Sequence, residues 1–190
     1  AVCSGGNCTA CRNDNDCSAQ FGLPVCDSGS CVQCTEAKKN QCGGNSCNPA
    51  TNTCTDTQLA SARRCGRCVS DDECADSDQD CVKMNFRGAA RDDGYCLSRA
   101  SAVPCGRPYA VRVERQSISG KPATTYCTVN ESLVTCEALV QYGDVCDQDE
   151  DCGSAGVNDG VCKPFSGIYR CSYACESDAD CEPPMTVTSC

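Results

Sequence analysis

The sequence contains no histidine, no tryptophan and only three phenylalanines. Without histidine there is no Ser-His-Asp or Cys-His nucleophile, no imidazole base and no histidine-ligated metal. Carboxylates are abundant, but most lie in polar loops, where solvated turns are more common than general acid-base pairs. We therefore expect a protein that is not an enzyme and that needs no cofactor.

Large aliphatic side chains and long apolar segments are also scarce. Leu, Ile, Val and Phe together supply only 25 of the 190 residues, which is below the range of ordinary globular domains. No segment approaches the roughly 20 apolar residues that span a bilayer. Burial at about 25 cal/mol per Å² therefore offsets too little of the roughly 1 to 2 kcal/mol that ordering each residue costs.

Cysteine is the residue in excess, with 25 copies. Such a fraction is typical of secreted disulfide scaffolds, and each bridge contributes about 2 to 4 kcal/mol. Reduction is therefore expected to unfold the protein. The first residue is Ala1, which fits a mature N-terminus after removal of a signal peptide. We expect a secreted protein, extracellular or on the outer cell surface, without a membrane span.

The formal net charge is -10. This charge argues against a basic surface for nucleic acid or anionic lipid. We expect protein partners or self-association, and no nucleic acid.

One cysteine spacing organises most of the chain. Two cysteines flank five polar, acidic residues in Cys11-RNDND-Cys17, Cys68-VSDDE-Cys74, Cys146-DQDED-Cys152 and Cys175-ESDAD-Cys181. Each copy has Asp at its third interior position and an acid just before its second cysteine. Each copy opens a longer unit that continues with a third and usually a fourth cysteine. Such self-similarity indicates an array of small modules that need disulfides to fold.

We number these units one to five, counting a degenerate unit two that lacks the acidic signature. First-to-third and second-to-fourth pairing is the expected connectivity, although the spacing leaves other pairings open. The disulfide cysteines are Cys11, Cys17, Cys26 and Cys31 in unit one, Cys34, Cys42, Cys47 and Cys54 in unit two, Cys68, Cys74, Cys81 and Cys96 in unit three, and Cys146, Cys152, Cys162 and Cys171 in unit four.

The odd number of cysteines leaves at least one without a partner in the chain. Unit five lacks a fourth cysteine, so the candidates for a free or intermolecular thiol are Cys175, Cys181 and Cys190. A continuation of the chain beyond Cys190 would also supply the missing partner.

The segment between units three and four has more conventional signals. The alternation and turn residues of Pro108–Val129 predict a hairpin, and the residues from Ser132 predict a short helix that ends at Gly143. A small apolar core is expected here. Asp56–Arg64 is a second helix candidate, with Asp56 as its cap.

These features predict a small disulfide-rich repeat protein, elongated, with little regular secondary structure beyond short hairpins and one-turn helices. Tight joins such as Cys31-VQ-Cys34 leave little room for flexible linkers. The expected parts are units one and two in residues 1–54, a linker helix and unit three in 55–96, the hairpin-plus-short-helix insert in 97–145, and units four and five in 146–190.

The acidic five-residue loops have two interpretations. Closely spaced carboxylates suit calcium, although none of the loops matches an EF-hand. Capping is favoured, because Ser70–Glu73 is a capping box and the other copies are close relatives. A calcium site would raise the melting temperature when calcium is added. Its candidate ligands are Asp14, Asp16, Asp71, Glu73, Asp149, Asp151, Asp178 and Asp180.

Two other cysteine chemistries compete with structural disulfides. Cys65-Gly-Arg-Cys68 resembles the dithiol of thioredoxin-like enzymes, but no strand-helix-strand pattern surrounds it. Paired C-x-x-C motifs also hold zinc as tetrathiolates. Disulfides are favoured over both because the cysteines are spread evenly through an apparently secreted chain.

The phrases VCDSGSCVQC, SCNPATNTC, CGRCVSDDEC and YACESDADC resemble the cysteine-rich repeats of myxobacterial and related delta-proteobacterial secreted surface proteins. The resemblance covers Cys8 to about Cys96 and Cys146 to Cys190, and it leaves residues 97–145 aside. It implies export and roles in adhesion, cell-surface recognition or appendage building. Colipase-type and Dickkopf-type modules and C-x-x-C-rich protist surface antigens match less well by spacing.

Two functional hypotheses follow. The first is a structural or adhesive cell-surface protein that assembles into multimers or filaments by repeat-to-repeat contacts or an intermolecular bridge. The alternative is a monomeric extracellular binding module, a receptor ligand or protease inhibitor. It would present the 108–129 hairpin, with Arg112, Arg115 and Lys121 as basic contacts on an acidic protein.

Overall fold

The computed structural model describes residues 2–4, 7–86, 92–153 and 160–176, and its elements are short. The strands are β1 (Val2–Ser4), β2 (Asn7–Thr9), β3 (Val25–Asp27), β4 (Ser30–Val32), β5 (Asn45–Asn48), β6 (Thr53–Gln58), β7 (Arg67–Cys68), β8 (Gln79–Val82), β9 (Gly94–Arg99), β10 (Val111–Arg115), β11 (Thr124–Thr128), β12 (Gly160–Phe165) and β13 (Ile168–Tyr173). Helix α1 spans Cys136–Val140, and short 3-10 helices span Asp14–Cys17, Glu36–Cys42, Asp71–Glu73 and Asp149–Asp151. Within these ranges, each helix is too short or too polar to cross a bilayer.

Ten disulfide bonds join cysteines of the described ranges, and eight of them follow the pairing expected from the units. The first-to-third bridges are Cys11–Cys26, Cys34–Cys47, Cys68–Cys81 and Cys146–Cys162. The second-to-fourth bridges are Cys17–Cys31, Cys42–Cys54, Cys74–Cys96 and Cys152–Cys171. A small, disulfide-rich protein of this kind fits an extracellular or secreted location.

In all four complete units the third and fourth cysteines lie directly opposite each other on two antiparallel strands. The pairs are Cys26 with Cys31, Cys47 with Cys54, Cys81 with Cys96, and Cys162 with Cys171. Each unit is thus a short helical turn followed by a hairpin, with two bridges fastening the turn to the hairpin.

Unit three and the insert share one antiparallel sheet. The strand order is β10-β11-β9-β7, and β8 pairs with β9 as well. Residues of the predicted 108–129 hairpin form β10 and β11, and residues of the helix predicted from Ser132 form α1. Strand β9 runs through residues 96 and 97, where the boundary between unit three and the insert is predicted from the sequence. The bridge Cys65–Cys136 fastens α1 to the start of unit three.

The main apolar core lies between this sheet and α1. Unit three and the insert both contribute to it, and Tyr173 of unit four also packs there. Its buried members are Cys65, Val82, Met84, Phe86, Tyr95, Leu97, Tyr126, Val129, Val134, Cys136, Ala138, Leu139 and Tyr173.

The helix predicted for Asp56–Arg64 is wrong. The chain remains extended as β6, which runs from Thr53 to Gln58 and pairs with β5. The β-branched residues Thr53, Thr55 and Thr57 favour a strand. The Cys42–Cys54 bridge also holds this segment within unit two, so long-range pairing overrides the local helix signal.

Candidate interaction surface

The third-position aspartate has the same structural role in every described copy of the acidic loop. Its carboxylate accepts a hydrogen bond from the backbone N–H of the third cysteine of its own unit. The bonds are Cys26 N to Asp14 Oδ1 (2.9 Å), Cys81 N to Asp71 Oδ1 (2.8 Å) and Cys162 N to Asp149 Oδ1 (2.6 Å). This aspartate therefore joins the helical turn to the hairpin.

The acid before the second cysteine closes the turn from the other side. It accepts from the backbone N–H of the first loop residue: Arg12 N to Asp16 Oδ2 (2.7 Å), Val69 N to Glu73 Oε2 (2.8 Å) and Asp147 N to Asp151 Oδ2 (2.9 Å). The N-cap side chain completes the turn, as where Asp72 N donates to Ser70 Oγ at 3.2 Å. The capping interpretation is thus met in these three copies.

Backbone donors therefore already use the carboxylates proposed as calcium ligands. The bonds from Asp147 N and Gln148 N lower the pKa of Asp151. A hydrogen bond from Lys38, followed by the one from Cys26 N, lowers the pKa of Asp14. Asp178 and Asp180 lie outside the described residues. In the three described copies, hydrogen bonds within the fold account for the conserved positions of these carboxylates in the repeat.

We predict that Asp71→Ala lowers the free energy of unfolding by about 2 kcal/mol, the usual worth of a lost hydrogen bond to a charged group. Asp71 is largely buried, and it also pairs with Lys121 at 2.9 Å. The measurement is denaturant unfolding of the oxidised protein. Asp56→Ala removes an exposed carboxylate of β6 and serves as the control. Equal losses in the two variants would contradict the assigned role.

Unit three's acidic loop also forms the contact with unit two. Glu73 is buried, and it accepts hydrogen bonds from Ser46 and from Thr55. Lys39 pairs with Asp72 at 2.5 Å. Sequence reasoning missed this contact, because its partners lie 18 to 33 residues apart and no local pattern links them.

Glu36 belongs to the same contact. Burial raises the pKa of this carboxyl, and the charges of Asp71 and Asp72 act in the same direction, whereas hydrogen bonds from Ser119 and Ser70 oppose them. The joint between units two and three is therefore built around the buried Glu73 and the partly buried Glu36.

The three basic residues predicted to form a binding surface on the hairpin have different surroundings. Arg112 is exposed on β10. Arg115 pairs with Glu131 at 3.5 Å. Lys121 binds Asp80 at 2.6 Å and Asp71 at 2.9 Å. Lys121 thus has an internal role, whereas the exposed Arg112 and Arg115 lie on β10.

The group that binds Lys121 is a buried charged cluster that sequence reasoning did not find. The Asp80 side chain is 1% exposed. It accepts hydrogen bonds from Arg99 Nη1 (2.8 Å), Lys121 Nζ (2.6 Å) and the Tyr126 hydroxyl (2.9 Å). Burial and the Asp80 charge raise the pKa of Tyr126, so its hydroxyl keeps its proton and donates. These hydrogen bonds join the insert to unit three.

The described residues expose a group of large apolar side chains on unit four. Phe165, Ile168 and Tyr169 lie at the tip of the β12–β13 hairpin, and they are 52%, 48% and 55% exposed. Val145, which lies beside β13 and pairs with Arg170, is 68% exposed. Clustered exposed apolar residues mark interaction sites more often than single ones do. Tyr169 pairs with Pro164, which places it on the face opposite to Phe165 and Ile168. We call Phe165, Ile168 and Val145 the unit-four surface.

Strand register places three of these side chains beside two cations. Phe165 pairs with Ile168, and Lys163 pairs with Arg170 two residues away along the strands. Residues two apart in a strand share a face, and directly opposed residues do as well. Val145 joins this face through Arg170. The surface is therefore apolar at the tip and basic behind it, on a chain whose net charge is -10.

Of the three candidate thiols, only Cys175 lies within the described residues. Cys175 is disulfide-bonded, and Cys181 and Cys190 lie outside the described residues. In the Cys65-Gly-Arg-Cys68 segment each cysteine bonds a different partner, Cys136 and Cys81 respectively. These two residues therefore do not form a redox dithiol with each other.

Comparison with models of known protein families, with curated proteins and with solved structures finds no match to this chain.

Proposed function

We propose that this chain is a non-enzymatic structural or adhesive protein of the cell exterior, elongated along its repeat units, that assembles into multimers or filaments. The observation that carries the proposal is the unit-four surface: Phe165 and Ile168 are exposed on one face of a doubly bridged hairpin, and Val145 is exposed beside them. A disulfide scaffold keeps such a surface ordered without covering it.

Charge favours an open mode of assembly. If two unit-four surfaces met face to face, Lys163 and Arg170 of each copy would approach their counterparts, which is unfavourable. A different, acidic face of a second copy is the better complement, given the net charge of -10. Contacts between unlike faces build open chains when the rotation does not close. This geometry supports filaments over a closed dimer.

Two sequence features support the same proposal. The odd number of cysteines leaves one for a covalent bridge between copies. Gel electrophoresis with and without reductant tests for such a bridge. The resemblance to cysteine-rich repeats of bacterial secreted surface proteins points to the same setting.

We predict that Phe165→Ser/Ile168→Ser weakens self-association at least tenfold. Fully burying a phenylalanine or isoleucine side chain contributes about 1.5 to 3 kcal/mol, and 1.4 kcal/mol is a tenfold change. Sedimentation velocity over a concentration series measures the effect. Phe21→Ser is the matched control, because Phe21 is an exposed aromatic of unit one and lies outside this surface.

A wild-type chain that stays monomeric at every concentration would overturn the assembly proposal. It would favour the binding-module alternative, for which exposed Arg112 on the edge strand β10 is the specific observation. Equal weakening by Phe21→Ser would show that the loss is not specific to unit four.

A further inference from the structure

Strand β10 lies at one end of the sheet that unit three and the insert share. Among the described strands its only neighbour is β11, so its other edge is left open within that part of the chain. This edge is five residues long, whereas β7 at the opposite end of the strand order has two. The N–H and C=O groups along an open edge are a template for pairing with another chain.

The contacts of β11 show which residues of β10 direct their backbone groups to the open edge. The C=O of Thr125 accepts a hydrogen bond at 2.8 Å from the N–H of the residue after β9, so Thr125 directs its backbone groups away from β10. Successive residues of an antiparallel strand direct these groups to alternate sides. Tyr126 is therefore bonded to its opposite residue, Val113. It follows that Arg112 and Glu114 direct their N–H and C=O groups to the open edge.

The side chains at these two outward positions carry opposite charges. Arg112 and Glu114 are exposed, whereas Val113 between them is half-buried and packs against the main core. The C=O of Glu114 accepts a hydrogen bond from Nη1 of its neighbour Arg115 at 3.2 Å. This contact is exposed, and a backbone N–H of another strand can replace it. The open edge thus has one positive and one negative position, placed symmetrically about Val113.

We propose that this edge pairs with the same edge of a second copy of the chain, in an antiparallel contact whose two-fold axis passes through Val113. Arg112 of each copy then lies opposite Glu114 of the other. Because both residues direct their backbone groups outward, each of the two pairs exchanges two N–H···O=C bonds. The same patch is used on both copies, so the contact is isologous. The two sheets become one across the dimer.

Charge selects this register. A slide by one residue sets outward-directed residues against residues that are already bonded to β11, so hydrogen bonds are lost. A slide by two residues sets Arg112 opposite itself in one direction and Glu114 opposite itself in the other. Like charges directly opposite each other in a sheet destabilise it, whereas opposite charges stabilise it. Among these registers, the one centred on Val113 satisfies both conditions.

The β10 contact goes beyond the proposed unit-four contact and uses different residues. The unit-four surface meets an unlike face, so it extends an assembly, whereas β10 meets its own counterpart and closes a pair. A chain with both contacts would assemble as two-fold pairs that are linked through unit four. Either contact can be removed without the other, so the two proposals are tested separately.

The experiment uses the full oxidised chain with Phe165→Ser/Ile168→Ser, here called the parent, in which the unit-four contact is weakened. Sedimentation velocity over a concentration series is expected to show a dimer as its largest species. Arg112→Glu sets acid against acid in both cross-strand pairs, and Glu114→Arg sets base against base, so each is expected to weaken dimerisation about tenfold or more. Arg12→Glu reverses an exposed charge in unit one and is the matched control, which is expected to dimerise like the parent.

Mixing the two charge-reversed chains separates a specific contact from a folding defect. The Arg112→Glu chain is acidic at both outward positions and the Glu114→Arg chain is basic at both, so a mixed pair regains opposite charges in both cross-strand pairs. We expect the mixture to form a heterodimer although each chain alone is weakened.

Three results would each overturn the β10 contact: a parent that stays monomeric, reversed chains that dimerise as well as the parent, or a mixture that associates no better than either chain alone. A parent that dimerises, together with a wild type that grows no further than the dimer, would support the β10 contact and contradict the unit-four contact.

Discussion

Cys65→Ala/Cys136→Ala is expected to lower the free energy of unfolding of the main core by about 4 kcal/mol. The bridge closes a sequence separation of 71 residues, the widest among the described bridges. The chain-entropy relation gives about 4 kcal/mol for a loop of this length. Internal bridges shorten the effective loop, but both sulfurs are buried in the main core, so their loss also removes packing.

Denaturant unfolding under non-reducing conditions, followed by tyrosine signals, measures this change. The main core contains Tyr95, Tyr126 and Tyr173, so these signals report on it. Cys17→Ala/Cys31→Ala is the matched control, because it removes a bridge from unit one, which contributes no side chain to that core cluster. We expect the control to leave the core transition in place. A similar shift in both variants would mean that the units unfold as one body.

The sequence predicted eight of the ten described bridges, but it did not predict Cys65–Cys136 or Cys105–Cys127. The repeated spacing defined four complete units, and the pairing expected within them is the one in the structure. This succeeds because bridge geometry is short-range: a turn of five residues places two cysteines beside a hairpin whose own two cysteines lie opposite each other. Local spacing therefore carries most of the information about pairing within a unit.

Contacts between distant segments could not be predicted from local spacing. Lys121 looked like a binding residue because it is a cation in an exposed turn. Its partners Asp71 and Asp80 lie 50 and 41 residues away and become neighbours only when β8 joins the sheet. The helix prediction for Asp56–Arg64 failed for a related reason, since pairing between β6 and β5 decides the conformation of this segment.

The unit-four surface was missed because alternation in a strand defines two faces without saying which one is covered. In β12 and β13, the face that includes Cys162 and Cys171 turns toward the bridges. Phe165 and Ile168 are left on the other face. Apolar residues at such positions are normally taken as core. Only the placement of the bridges shows that they are exposed.

Asp80→Asn is expected to lower the free energy of unfolding by about 3 kcal/mol. Breaking a buried ion pair costs about 3 to 5 kcal/mol, and we take the lower end because Arg99 and Lys121 are 28% and 53% exposed and regain water. The amide keeps the shape of the carboxyl group but removes its charge. Denaturant unfolding at neutral pH measures the loss. Asp56→Asn makes the same charge change at an exposed carboxylate of β6 and is the control.

The dependence on pH tests the same cluster independently. Burial opposes ionisation of Asp80, but hydrogen bonds from Lys121, Arg99 and Tyr126 outweigh it and lower the pKa of this carboxyl below its ordinary value of 3.8. A lowered pKa means that the carboxylate stabilises the fold above pH 3.8, and that this stabilisation is lost as the pH falls through the folded-state pKa. The difference between wild type and Asp80→Asn should therefore stay constant from neutral pH to about pH 5 and narrow below pH 3.8. A constant difference down to pH 2 would contradict the role assigned to the charge of Asp80.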